Sequence, residues 1–238
     1  MQGLKVRAHR DCAGAACGPV AVPITAGSAG EALKDIAIAN GKADVIELRL
    51  DFLEHAGEAV LEELLAACRK PVIVSFRRLN FGASVEDTER AFILQKAIDL
   101  GAALVDLDLR ADAGFLRGII SNKKNTGIIV SFHDFDGTPP KEKLLNVLEK
   151  EIDLGADVLK IVTAANSPGD CETVLGLIEE AKKRKKRIIA FCMGEKGIGS
   201  RVECLKRGAF LTFASLSPGK ESAPGQVPVD ELRKMLWK

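Results

Sequence analysis

Lys160 lies in Asp157-Val158-Leu159-Lys160-Ile161-Val162, a run that otherwise reads as a buried strand. An ammonium held in an apolar wall is costly, and burial favours its neutral form. A neutral amine is a nucleophile that condenses with a ketone to give an imine. The chain has three histidines, and one of them, His133, ends the preceding apolar run Ile128-Ile129-Val130-Ser131-Phe132-His133. An amine and an imidazole at the ends of neighbouring strands point to covalent carbonyl chemistry with proton transfer.

The elements that must position these groups form a regular series. Short apolar runs predict strands near 20–24, 45–50, 71–76, 103–109, 127–132, 157–162, 187–192 and 209–214. Helical patterns lie between them, near 29–40, 57–68, 85–100, 113–121, 140–154, 170–184 and 199–207, with a last one at 229–237. Ile93, Ala97 and Leu100, and likewise Leu144, Leu145, Leu148 and Ile152, make apolar stripes with the 3.6-residue period. Asp170 and Asp230 stand where N-terminal caps belong. Leu100-Gly101-Ala102 recurs as Leu154-Gly155-Ala156, each time between a helix and the next strand, where glycine supplies a left-handed ending.

Eight strand–helix units predict an α/β fold, a single (β/α)8 TIM barrel over residues 1–238, with sites at the carboxyl ends of the strands. The competing doubly wound sheet would carry a dinucleotide fingerprint, which is absent here. Residues Leu4 to His9 precede the first unit and leave room for a short strand or hairpin closing the barrel bottom.

Side chains alternate across a strand, so residues two apart share a face. In Val45-Ile46-Glu47-Leu48-Arg49-Leu50-Asp51 the three ionisable residues share one face. Barrel strands are covered outside by helices, so this face is expected to point into the barrel mouth. Ser75 and Arg77 repeat the pattern on the third strand, Asp106, Asp108 and Arg110 on the fourth, Ser131 and His133 on the fifth, and Lys160 on the sixth. Ser200-Arg201 opens the seventh helix after Gly194, Gly197 and Gly199, where backbone amides and the helix dipole favour an anion. Arginine holds a carboxylate through paired hydrogen bonds, although a sugar-phosphate site is also common at this barrel position. Ser222 and Gln226 sit in the loop after the eighth strand and are placed to close over a polyhydroxy substrate. Segment 215–226, long and rich in Pro and Gly, is the expected lid.

Composition excludes several classes. Lys and Arg number 34 against 33 Asp and Glu, which gives no electrostatic reason to expect nucleic acid or a membrane surface as partner. No apolar run approaches the length of a bilayer span, and the first residues lack a signal-peptide core, so a cytoplasmic protein is expected. The basic run Lys182 to Arg187 lies at a helix end, where cations complement the dipole. The six cysteines form no CxxC pair and read as reduced, mostly buried thiols. Cys12 and Cys17 near His9 match no standard metal spacing and lack a fourth ligand.

In order along nearly the whole chain stand Glu47-Leu48-Arg49-Leu50-Asp51, Phe76-Arg77, Ser131-Phe132-His133-Asp134-Phe135 and Lys160-Ile161. Met193-Gly194, Ser200-Arg201, Thr212-Phe213-Ala214 and Ser222-Ala223-Pro224-Gly225-Gln226 follow. With these motifs the chain resembles the type I 3-dehydroquinate dehydratases, imine-forming lyases of the shikimate pathway. The resemblance implies dehydration of 3-dehydroquinate to 3-dehydroshikimate with no cofactor and no metal, in a protein that is often a homodimer. Lys160 would form the Schiff base and His133 would act as general base and then acid. Arg201 would anchor the carboxylate. Glu47, Arg49, Arg77, Ser222 and Gln226 would orient the substrate, and Met193 and Phe213 would wall the cavity. One position departs from the family pattern: where many members have a histidine-orienting glutamate, this chain has Phe81. Asp106 or Asp108 is therefore expected to support His133. A class I aldolase on the same barrel is the chemical rival, disfavoured by Ser131-Phe132-His133-Asp134-Phe135 and the carboxylate arginine. A non-catalytic binding barrel would be free to lose Lys160 or His133, and both are present.

Overall fold

Strands and helices alternate because each apolar run buries on both faces while each helical stripe covers the sheet from outside. The computed structural model describes residues 18–77 and 87–237. Its strands are β1 (Val20–Ile24), β2 (Val45–Arg49), β3 (Val72–Ser75), β4 (Leu104–Asp108), β5 (Gly127–Asp134), β6 (Val158–Ala164), β7 (Arg187–Met193) and β8 (Thr212–Phe213). Its helices are α1 (Ala29–Lys42), α2 (Glu58–Ala67), α3 (Asp87–Asp99), α4 (Ala113–Ser121), α5 (Lys141–Asp153), α6 (Pro168–Lys183), α7 (Ile198–Lys206) and α8 (Val229–Leu236).

The strands pair in the order β7-β6-β5-β4-β3-β2-β1-β8, every ladder parallel. Between the two ends, Phe210 donates its N–H to the Ile188 carbonyl at 2.7 Å and brings the sheet round on itself. The result is a nearly closed (β/α)8 barrel. Outward side chains such as Ile46, Leu48, Leu159 and Ile161 are buried under the helices. Register places the inward residues at matched heights: Ser75 lies opposite Asp106, Ser131 opposite Lys160, and His133 opposite Val162.

The helix endings are set by sequence. Gly101 and Gly155 hold φ of +83° and +88°. At the second of these turns Gly155 donates to the Ile152 carbonyl and Ala156 to the Glu151 carbonyl, the double bond of a Schellman ending.

Three expectations are corrected. Asp170 is not the cap of α6: Ser167 is, with Pro168 first in the helix, and Asp170 reaches back to accept the Ser167 N–H at 2.8 Å. Asp230 does not cap α8, which starts after Pro228; its carboxylate pairs with Lys42 on α1. The eighth strand, expected over 209–214, is only Thr212–Phe213, because the Ala209 N–H still serves the end of α7 by bonding the Cys204 carbonyl at 2.9 Å. The N-terminal hairpin at Leu4 to His9, the Cys12, Cys17 and His9 group, and Phe81 lie outside the described residues.

Candidate active site

At the carboxyl ends of the strands the barrel opens into a cavity of about 350 Å³. Lys160 enters it from β6, 3% exposed, with Nζ donating to Asp106 Oδ2 at 2.7 Å and lying 4.4 Å from the centre of the Phe213 ring. The amine is therefore not alone in an apolar wall; β4 supplies its counter-charge. Asp106 is a hub. Its Oδ1 accepts Ser131 Oγ at 2.6 Å, and its Oδ2 also accepts Arg77 Nη2 at 3.3 Å. Burial alone would raise this carboxyl, but the charges of Lys160 and Arg77 outweigh burial and hold it well below the usual carboxylate range.

His133 projects from the end of β5 and is buried. The Arg77 guanidinium lies along its ring, with Nη1 3.5 Å from Nδ1 and Nη2 3.3 Å from Nε2. Phe135 stacks on the ring, centroids 6.2 Å apart. Burial first, then the charges of Arg77 and Lys160, press the imidazole well below 6.5 against the opposing pull of Asp106. A neutral imidazole offers one acceptor nitrogen, so Arg77 donates to one of the two and merely lies against the other. Asp106 reaches His133 through Arg77 rather than by a hydrogen bond of its own.

Asp108 does not join this cluster. The strand ends there and turns, and its carboxylate takes the backbone N–H, Nε and Nη2 of Arg110 at 2.9, 3.1 and 3.1 Å. On β2, Glu47 accepts Ser75 Oγ at 2.6 Å, and Arg49 forms a two-pronged pair with Asp51 at 3.0 and 2.6 Å. Arg49 also lies 4.6 Å over Phe52.

Arg201, on α7, has no exposed surface. It donates to the carbonyls of Gly225 at 3.1 Å, Pro224 at 3.3 Å and Phe213 at 3.4 Å, and its guanidinium lies 4.6 Å over Phe191. Desolvation draws this guanidinium down to about 10, which leaves it a cation at neutral pH. Its described hydrogen bonds all go to carbonyls, so a buried positive charge faces the cavity without a carboxylate. Neighbouring Ser200 is used locally instead: its Oγ donates to the Gly197 carbonyl at 2.6 Å and accepts the Cys192 N–H at 2.8 Å.

The loop after β8 completes the cavity. Gln226 Oε1 accepts the Ser222 N–H at 2.7 Å, and its Nε2 donates to Ser222 Oγ at 3.1 Å. The loop lies down on the end of β7, where Gly194 donates to the Pro224 carbonyl at 3.1 Å. Contact is so close at Gly225 (φ +73°) that a Cβ there would fall 2.2 Å from the Gly194 oxygen.

Glu47, Arg49, Arg77, His133, Lys160, Met193, Arg201, Phe213, Ser222 and Gln226 all line this one cavity. Phe135, Ala223 and Pro224, which belong to the quoted motifs, line it too, and so do Phe52, Val162 and Phe191, which were not singled out in the sequence. Alternation could have found two of them, Val162 two residues beyond Lys160 and Phe191 two before Met193. Phe52 follows from a 3-10 turn, Leu50–Phe52, which carries no periodic signal. Among the described residues no cluster of His, Cys, Asp and Glu has the makings of a metal site.

Comparison with known proteins gives a consistent result. The model of the family described as Type I 3-dehydroquinase matches residues 20–237. A 3-dehydroquinate dehydratase of Methanocaldococcus jannaschii is 36% identical over 225 residues, spanning 92% of this chain and 97% of that protein. The 3-dehydroquinate dehydratase of Geobacillus kaustophilus has a similar solved structure, with TM-score 0.84 and 25% identity over 92% of this chain and 90% of that one. The type I 3-dehydroquinate dehydratase of Clostridium difficile, solved with covalent modified comenic acid, gives TM-score 0.81 and 27% identity over 92% of this chain and 90% of its own.

Proposed function

The chain belongs to the type I 3-dehydroquinase family, and from that premise we propose how its own residues dehydrate 3-dehydroquinate to 3-dehydroshikimate. It is a carbon–oxygen lyase of the shikimate pathway. Lys160 condenses with the C3 ketone and expels water, leaving an imine that withdraws electrons from C2. His133 removes the acidified C2 proton, and the same group returns a proton to the C1 hydroxyl as it leaves as water. Hydrolysis of the imine then frees the product and the lysine.

The electrostatics support these roles. An ammonium must lose a proton before it attacks, and His133, kept unprotonated by burial and the adjacent cations, has a nitrogen free to take it transiently, at a cost set by those same surroundings. Asp106 fixes the amine while it waits and neutralises the charge that remains. Arg201 binds the substrate carboxylate, trading carbonyl contacts for a paired charge. Glu47, Arg49, Arg77, Ser222 and Gln226 orient hydroxyl and carboxylate oxygens, and Met193 and Phe213 exclude water from the reacting face.

One observation carries the reading: a buried amine paired with a carboxylate, a neutral imidazole and an arginine without a carboxylate all face one small cavity. Incubation with 3-dehydroquinate tests it. Elimination creates a conjugated enone, so ultraviolet absorbance rises. An aldolase would split the carbon chain and leave no enone, and a flat trace would sink the assignment. A homodimer in the cytoplasm is the setting proposed from the family resemblance, and sedimentation of the purified protein checks the dimer.

A further inference from the structure

We infer that Glu151, outside the cavity, is a positioning residue for Lys160: its side chain fixes the backbone from which the reacting amine projects. The inference rests on the reading of Lys160 as the imine lysine. Glu151 sits on the last turn of α5, fully buried between that helix and the sheet. It is bonded twice to the chain that follows. Its backbone carbonyl accepts the Ala156 N–H at 3.1 Å, closing the turn through Gly155. Its side-chain Oε2 accepts the backbone N–H of Lys160 at 3.1 Å. One residue thus fixes both the exit of the helix and the strand position nine residues later.

Packing alone does not ask for a glutamate here. The other inward positions of α5, Leu144 and Leu148, are apolar and fully buried. Glu151 Oε1 is buried and has no hydrogen-bond partner among the described residues. Burial drives the carboxyl well above its ordinary range; the Asp106 charge adds to this, while the Lys160 N–H and the Lys160 charge oppose it. A carboxyl buried with one oxygen unpartnered is dearer than an apolar side chain of similar length. What it gives in return is a fixed point directly behind the amine. Lys160 Nζ must stand against Asp106 at 2.7 Å and present itself to a ketone in the cavity. A displacement of about 1 Å at a reacting group costs on the order of a hundredfold in rate.

Two variants separate position from packing. Glu151→Leu keeps the bulk and removes the acceptor; Glu151→Gln keeps the acceptor without the acid. Each is assayed for kcat and KM with 3-dehydroquinate, with active sites counted by borohydride trapping at Lys160 and Tm measured alongside. The expected result for Glu151→Leu is a fall in kcat per trappable site of about 10- to 100-fold, with KM within about threefold. Glu151→Gln is expected to stay within about threefold of the parent in both constants, because its amide oxygen still accepts the N–H. Glu151→Met, also apolar but unbranched, makes the same comparison if the leucine variant does not fold. A merely structural role would change Tm and the number of trappable sites but not the turnover of each. Parent-like turnover per site in the apolar variants overturns the inference, and so does a glutamine variant as slow as the leucine one. Absence of any Lys160 adduct in the active parent protein would instead remove the reading of Lys160 itself.

Discussion

The proposed base, His133, must be unprotonated when substrate arrives, and its surroundings arrange this before any substrate is bound. Burial and two neighbouring cations press its pKa well below 6.5. The free enzyme's kcat/KM should therefore stay level as pH falls through 6.5 and decline only below it; a midpoint at or above 6.5 would contradict the electrostatics. Replacing His133 with Gln is expected to lower kcat by about 10²- to 10⁴-fold, the range for one general acid–base group. Arg201 makes a different prediction. Arg201→Gln removes a buried charge from a carboxylate, which costs about 2 kcal/mol or more, so KM for 3-dehydroquinate should rise about 30-fold or more. An unchanged KM would move the carboxylate elsewhere. At this scale the strand alternation made most of the cluster legible, since Glu47, Arg77, Asp106, His133 and Lys160 each follow from which face they share. The partners of those residues were not legible. Nothing in the sequence says that Asp106 bonds Lys160 and reaches His133 only through Arg77, or that Asp108, on the same face two residues later, turns to Arg110. Strand parity fixes a direction, and the point where a strand ends decides whether the side chain stays inside.

Among the elements, the loop after β8 is the part most exposed to a single change. It lies against the end of β7 so closely that only glycine fits at 225, and its Pro224 and Gly225 carbonyls are held by Arg201. Gly225→Ala must lift the loop. The left-handed backbone alone costs alanine about 1–2 kcal/mol, so KM is expected to rise about 5- to 30-fold. Alanine without effect would show that the loop need not lie down for the substrate to be held. The helices were readable to within a few residues from their apolar stripes and glycine endings. Caps were less so: Asp170 is three residues inside its helix because Ser167 and Pro168 together make the stronger start. The last strand is short for a reason that lies in its neighbour, the ending of α7, and a reading of apolar runs does not see that.

For the molecule as a whole, the barrel was legible because eight units repeat, whereas the buried acid behind Lys160 was not, since one glutamate among the several charged residues of an amphipathic helix reads as solvent-facing. Its presence makes the pH dependence of stability a contest. Below about 6.5 the unfolded chain protonates its histidine while His133 in the fold refuses the proton, so this group lowers stability as pH falls. Above about 4.5 the unfolded chain releases the Glu151 proton while the fold keeps it, so this group lowers stability as pH rises. The two slopes oppose each other between those values. His133→Asn should leave Tm falling as pH rises across that window, and Glu151→Gln should leave it rising; slopes of the reverse sign would refute both assignments. The central claim, however, is that the amine of Lys160 bonds covalently to the substrate ketone. Sodium borohydride added during turnover of 3-dehydroquinate, followed by mass spectrometry of the digested protein, tests that claim most directly. The account predicts one stable adduct, on the peptide carrying Lys160, and none in Lys160→Met. Turnover with no adduct, or an adduct on another lysine, would contradict it.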